Sequence, residues 1–218
     1  MTETARFCPD KPVCRGRKPD PGKRDAIVEA ACALFLEQGY GVSMETIAAA
    51  AGVAKQTIYN LFSTKEQLFG AVVAGHSEII VAAVDEARED AEPRAVLTAI
   101  ARELLGLLSG ERIAKVYRMM MSAVIEAGGQ SEMCEEFYDN GPRRGTRQFA
   151  AYLARQHEIG RLDVPDPMLA AESFFGMLNG HILIRNMMGL QSHWSAEALA
   201  AKADYAVSAF LRNHARRA

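Results

Sequence analysis

The sequence predicts an all-α fold, with a three-helix unit carrying a helix-turn-helix near the N-terminus and a larger helical body after it. Three observations carry this. Apolar residues recur at helical spacing through most of the chain, and no stretch alternates apolar and polar residues as a half-buried strand does. Glycine and proline punctuate the chain at helix-length intervals, at Gly39, Gly110, Gly128-Gly129, Gly141-Pro142, Gly160, Pro165 and Pro167. Residues 43–69, SMETIAAAAGVAKQTIYNLFSTKEQLF, read as two short helices around a glycine turn and the capped start of a third.

The first 22 residues carry Pro9, Pro12, Pro19 and Pro21 with Gly16 and Gly22, which break any helical pattern. The segment is also basic. Residues 1–24 hold seven lysines and arginines against three acids, whereas residues 71–218 hold 16 against 19. A basic arm (1–22) beside a mildly acidic body reconciles a formal net charge of −2 with local contact to a polyanion. Arg15, Arg17 and Lys18 are its candidates for lying on phosphates or entering a minor groove; a solvated tail is the alternative. The first helix starts near Lys23 and ends at Gly39, with Ile27, Ala30, Ala31, Leu34 and Phe35 as its apolar stripe.

Ser43 suits the N-cap of the next helix. Ile47, Ala48 and Ala51 share one face, and the small residues 48–51 let another helix cross closely. Gly52 fits a left-handed position just past the helix end, and Val53 plugs the corner. Ile58, Leu61 and Phe62 continue the apolar face, leaving Lys55, Gln56, Thr57, Tyr59 and Asn60 outside or at the helix start. Ser63-Thr64-Lys65-Glu66 reads as a capping box opening a long helix from Thr64 to about Asp90, with Leu68, Val72, Ile79 and Val84 facing inward. The helix-turn-helix unit thus spans 23–70 and the body 71–218. Helices are predicted in the body over 93–108, 111–127, 131–140, 143–159, 166–189 and 195–214.

These residues together resemble the N-terminal DNA-binding domain of the TetR/AcrR family of transcriptional regulators. The match runs over roughly residues 22–70 and includes Ile27, Leu34, Phe35, Gly39, Tyr40, Ile47, Ala48, Gly52, Val53, Thr57, Tyr59, Phe62, Lys65 and Leu68. Gln56 departs from the glycine that many members carry. The second helix of such a motif enters the major groove by its N-terminal end. There Lys55 suits guanine, Gln56 suits adenine and the Thr57 methyl suits thymine. Tyr59 and Asn60 are better placed for phosphates, and Ser43, Thr46 and Thr64 are further phosphate candidates at helix starts; capping is the alternative for the hydroxyl residues. The resemblance implies backbone contacts for Tyr59 and Lys65.

The body resembles the family's effector-binding and dimerisation domain more loosely. The resemblance implies a homodimer on a palindromic double-stranded DNA operator, released by a small-molecule effector. Segment 166–189 is apolar on more than one face, which suggests that a second subunit covers it. Phe175, Leu178 and Ile182, with Tyr205 and Phe210 of the last helix, are the expected contacts of a four-helix, two-fold interface. Tyr117, Met120, Met121, Phe137, Phe149, Phe174 and His181 are candidate walls of an effector pocket, each with ordinary core as its alternative. A ligand-independent dimeric DNA-binding or protein-interaction module is the alternative for the whole chain.

Other classes find little support. No paired-carboxylate, phosphate-loop, Ser/His/Asp or H-E-x-x-H pattern suggests an enzyme. Cys8, Cys14, Cys32 and Cys134 lack metal-site spacing and read as free thiols, and the five histidines are scattered, so no metal or cofactor is expected. MTETARFCPD has no apolar signal core and no stretch approaches a membrane span, so a cytoplasmic location with no membrane partner is expected.

Overall fold

A computed structural model describes residues 21–74, 91–126, 132–190 and 194–216, and among these every regular element is an α-helix. The order is α1 (Pro21–Gln38), α2 (Met44–Ala50), α3 (Lys55–Leu61), α4 (65–74 in its described part), α5 (Pro93–Ser109), α6 (Glu111–Glu126), α7 (Glu132–Asn140), α8 (Pro142–Glu158), α9 (Pro167–Asn179), α10 (Ile182–Met187) and α11 (Ala196–His214). The basic arm with Arg15, Arg17 and Lys18 lies outside the described residues, as do Cys8, Cys14, Ile79 and Val84.

Local chemistry sets the helix-turn-helix. Ile27, Ala31 and Phe35 form the buried line of α1. Ser43 caps α2, its Oγ accepting from the Thr46 N–H at 3.1 Å. The turn into α3 is a Schellman motif: Gly52 has φ +65°, its N–H donates to Ala49 O (3.2 Å), and the Val53 N–H donates to Ala48 O (3.0 Å). Ile47, Ala48 and Ile58 close the corner as buried side chains. The cap of α4 is shifted by one residue from the expected Ser63/Glu66 box. Thr64 Oγ1 accepts from the Gln67 N–H at 3.2 Å, and Gln67 Oε1 accepts from the Ser63 N–H at 3.1 Å. Glu66 has a better partner, the Tyr40 hydroxyl, which donates to its Oε1 at 2.7 Å.

The core of this unit does not close on itself. Val116 and Met120 of α6, and Met133 and Phe137 of α7, belong to the same buried cluster as Ile27, Phe35, Ile47 and Phe69. Aromatic rings run through it. Phe69 meets Phe35 at 5.6 Å, Tyr40 at 5.5 Å and Phe137 at 6.2 Å, and Phe137 meets Tyr117 at 4.9 Å. Close approach seats α4 on the body. A Cβ on Gly70 would lie 2.7 Å from Glu136 Oε2, and one on Gly141 would lie 2.8 Å from Val73 Cγ1 and 2.9 Å from Phe137 O.

A second core fills the rest of the body, where Leu97, Ile100, Leu153, Phe149, Phe174 and Phe210 are completely or almost completely buried. The run expected as one helix over 166–189 is two. Gly180, at φ +44°, ends α9 and turns the chain into α10. The apolar faces of this run are also divided differently from the expectation. Leu178, Ile182 and Phe210 are taken up by the protomer's own core, at most 1% exposed. Phe175 is half-buried, whereas Tyr205 is 70% exposed. The outward apolar residues of α9 and α10 are Met168, Leu169 and Ile184, followed by Met188 just past α10.

Two substitutions test this packing. Phe69→Ala is expected to cost about 3–5 kcal/mol, because it empties the ring cluster joining the two halves. Gly52→Ala is expected to cost about 1–2 kcal/mol through backbone strain alone, and Gly52→Asn less. Urea denaturation midpoints at constant m-value check both.

Candidate nucleic-acid interface and internal cavity

Burial of Ile58 orients α3. With that residue facing inward, Lys55, Gln56, Tyr59 and Asn60 are exposed and Thr57 is half-buried. Ala54, at the cap position of α3, supplies no side-chain hydrogen bond to its first N–H groups. Ser43, Thr46, Lys55, Gln56, Tyr59 and Asn60 are therefore all exposed on α2, α3 and the turn before α2.

Glu45 organises the outer face. Lys55 Nζ lies 2.7 Å from Glu45 Oε1, and the Tyr59 hydroxyl donates to the same oxygen at 3.2 Å. The hydrogen bond from Lys55 holds the Glu45 carboxyl below its ordinary range, and Glu45 in turn raises the Lys55 ammonium. Both groups are therefore charged at neutral pH. Such an exposed pair is weak. One turn along, Gln56 Nε2 donates to Asn60 Oδ1 at 2.9 Å.

The remaining interface candidates are tied into the fold. Thr64 caps α4. Lys65 is half-buried, its Nζ 3.5 Å from Val42 O and 4.4 Å from the centre of the Tyr40 ring. Burial and the Glu66 carboxylate push the Tyr40 hydroxyl far above its ordinary value. Burial acts to raise Glu66, but hydrogen bonds from Tyr40, the backbone and Thr64 outweigh it and leave the carboxyl below its usual range.

A cavity of about 240 Å³ lies where the two cores meet. Val73 of α4 forms one wall, Leu104 and Leu108 of α5 another, and Phe175 and Asn179 of α9 a third. Tyr117 and Phe137 line it, as the sequence suggested for an effector pocket. The other suggested residues lie elsewhere. Phe149 and Phe174 are at the centre of the body core, Met120 is in the shared core, Met121 is 42% exposed, and His181 is exposed at the Gly180 break. Phe175, expected at the dimer interface, lines the cavity instead. Glu45 and Asn179 escaped the sequence reading. Glu45 carried no signal beyond that of an acid at a helix start, and Asn179 none at all.

An all-α chain with an outward short helix after a Schellman turn, set on a larger helical body, has the architecture of the helix-turn-helix DNA-binding proteins. Comparison with known proteins narrows this class. Residues 27–72 match the pattern described as "Bacterial regulatory proteins, tetR family", and residues 95–216, more than half of the chain, match "AefR-like transcriptional repressor, C-terminal domain". A TetR-family regulator structure from Mesorhizobium loti MAFF303099 is 31% identical, with a TM-score of 0.73 over 89% of this chain and 97% of that one. The structure named Flavonoid-responsive Regulator FrrA is 29% identical, with a TM-score of 0.70 over 91% of this chain and 100% of that one. The HTH-type transcriptional activator FasR of Mycolicibacterium smegmatis is 36% identical over 72 residues, and the chain spans only about a third of its length. The chain belongs to the TetR family of transcriptional regulators.

Three variants test the face and its support. Tyr59→Phe is expected to weaken binding to every duplex several-fold and to flatten the dependence on salt, read by fluorescence anisotropy across a salt series. Lys65→Ala is expected to cost about 0.5–1 kcal/mol of stability through loss of its stacking on Tyr40. Tyr40→Phe is expected to cost roughly 1–2 kcal/mol at neutral pH. Because the folded-state value of Glu66 is depressed, that contribution is complete above the carboxyl's unfolded value and is lost as pH falls through the folded one. Wild type and Tyr40→Phe should therefore converge in stability in acid, read by denaturation at a series of pH values.

Proposed function

We propose that the chain is a cytoplasmic, sequence-specific repressor that binds a palindromic operator as a homodimer and leaves it when a small molecule enters the cavity between the two cores. The observation that carries this reading is the position of that cavity. Its wall includes Val73, on the helix that follows the helix-turn-helix directly, and Tyr117 and Phe137, which belong to the core of that unit. A ligand acts here only through different affinities for two arrangements of the walls. Close contacts at Gly70 and Gly141 leave α4 little freedom to absorb displacement locally, so movement of Val73 carries the reading head with it.

On this reading Lys55, Gln56 and Thr57 meet base edges while Tyr59, Ser43 and Thr46 meet the backbone, with Arg15, Arg17 and Lys18 of the arm reaching the adjoining groove. Glu45 holds Lys55 and Tyr59 until a base edge takes the first and a phosphate the second. Dimerisation uses the outward apolar side chains Met168, Leu169, Ile184, Met188 and Tyr205. The repressor-type description of the C-terminal match supports repression, and the flavonoid-responsive neighbour supports response to a small molecule.

Selection from random duplex DNA tests the reading. Wild type is expected to enrich a palindrome, and Gln56→Ala to change the preferred bases at symmetric positions. Failure to enrich any sequence across a range of salt would overturn specific DNA reading and leave a dimeric interaction module.

A further inference from the structure

One acidic residue sits where a surface that meets a polyanion has least use for it. Between Gly41 and Lys65 the chain carries a single carboxylate, Glu45. It lies on α2 and reaches across to α3. Its Oε1 is 2.7 Å from Lys55 Nζ and accepts from the Tyr59 hydroxyl at 3.2 Å. The Lys55 and Glu45 side chains remain 67% and 46% exposed, so both charged ends are open to whatever approaches α3. The Glu45 carboxyl, held below its ordinary range by Lys55, is ionised at neutral pH and can only accept hydrogen bonds. Such a group repels the phosphates of any duplex, whatever its sequence. A donor on a base edge is what reverses that sign.

The edge of one base pair has the matching pattern. In the major groove guanine presents N7 and O6 as acceptors, and the paired cytosine presents its N4 amino group as a donor. Guanine O6 and cytosine N4 are hydrogen-bonded to each other, so they stand about as far apart as Lys55 Nζ and Glu45 Oε1 do. We propose that Lys55 and Glu45 act as a unit that reads one G·C pair, the ammonium donating to guanine O6 and N7 while the carboxylate accepts from the cytosine N4 amino group. The ion pair is exchanged for contacts with a base pair, and neither charge is left without a partner. An A·T pair in the same place sets the adenine N6 amino group against the ammonium and thymine O4 against the carboxylate, so that donor meets donor and acceptor meets acceptor. Glu45 is therefore a specificity-determining residue. It raises the ratio of specific to non-specific binding, chiefly by weakening the latter. The inference rests on the DNA reading proposed above.

The test begins with selection from random duplex DNA by wild type and by Glu45→Ala. Wild type is expected to enrich a palindrome with a G·C pair at symmetric positions, and Glu45→Ala to keep the palindrome but accept other pairs there. Anisotropy titration of the selected operator then isolates the cytosine contact, with 2-pyrimidinone, which lacks only the N4 amino group, in place of that cytosine. The replacement is expected to weaken wild type about tenfold and Glu45→Ala little. Glu45→Ala is also expected to bind an unrelated duplex more tightly than wild type does. If Glu45 only holds Lys55 and Tyr59 in place, both proteins respond equally to the replacement, and that result would overturn the proposal. A wild-type palindrome whose preferred bases are unchanged in Glu45→Ala would overturn it too, while leaving the DNA reading intact. Failure of wild type to enrich any sequence would overturn the DNA reading and this inference with it.

Discussion

Phe69 stands between two halves of the molecule that the chain folds in different stretches of sequence. On one side it meets Phe35 and Tyr40 of the helix-turn-helix unit, and on the other Phe137 of the body. Three helices, of which α2 and α3 have only seven residues each, enclose little apolar volume. Their core is completed by Val116, Met120, Met133 and Phe137 of α6 and α7. The orientation of the recognition helix is therefore a property of the whole protomer. A contact from Arg112 to Cys32 Sγ at 2.6 Å ties α1 to α6 at the same seam.

That dependence gives the cavity its importance. It opens beside Phe137 and Val73, between the core that holds the reading head and the core that fills the body. A hollow within either core alone would change local packing. One at the seam changes how the two cores sit against each other, because close-packed side chains transmit displacement instead of absorbing it. The outer face needs no such adjustment. Lys55, Tyr59 and Glu45 form an exposed arrangement on the surface of α2 and α3, held by weak contacts.

Local rules made much of the fold legible. Ser43, Gly52 and Val53 announced a cap and a turn because each depends on bonds within a few residues, and the structure contains those bonds. The burial of Ile27, Ile47, Ile58 and Leu68 followed from spacing alone. Legibility failed where two partners competed for one group. Glu66 suits a capping box in sequence, but a tyrosine 26 residues away takes it. The unbroken apolar run around Gly180 hid a helix end that glycine makes possible at positive φ. Apolarity on several faces of that run marked burial correctly but not its source, since Leu178 and Ile182 are covered by the protomer itself. The cavity was the least legible feature. Its walls come from seven helices and a turn, and periodicity shows only which face of each helix is apolar, not where apolar faces fail to meet.

Native-state hydrogen exchange in Phe137→Ala tests most directly whether the reading head and body share one core. The substitution lies in α7, far along the chain from the recognition helix. A shared core predicts that amides of α1, α2 and α3 lose protection together with those of α6 and α7. Loss confined to α6 and α7, with α1 to α3 protected as in wild type, would mean that the helix-turn-helix unit is stable without the body. The cavity could not then control it through this seam.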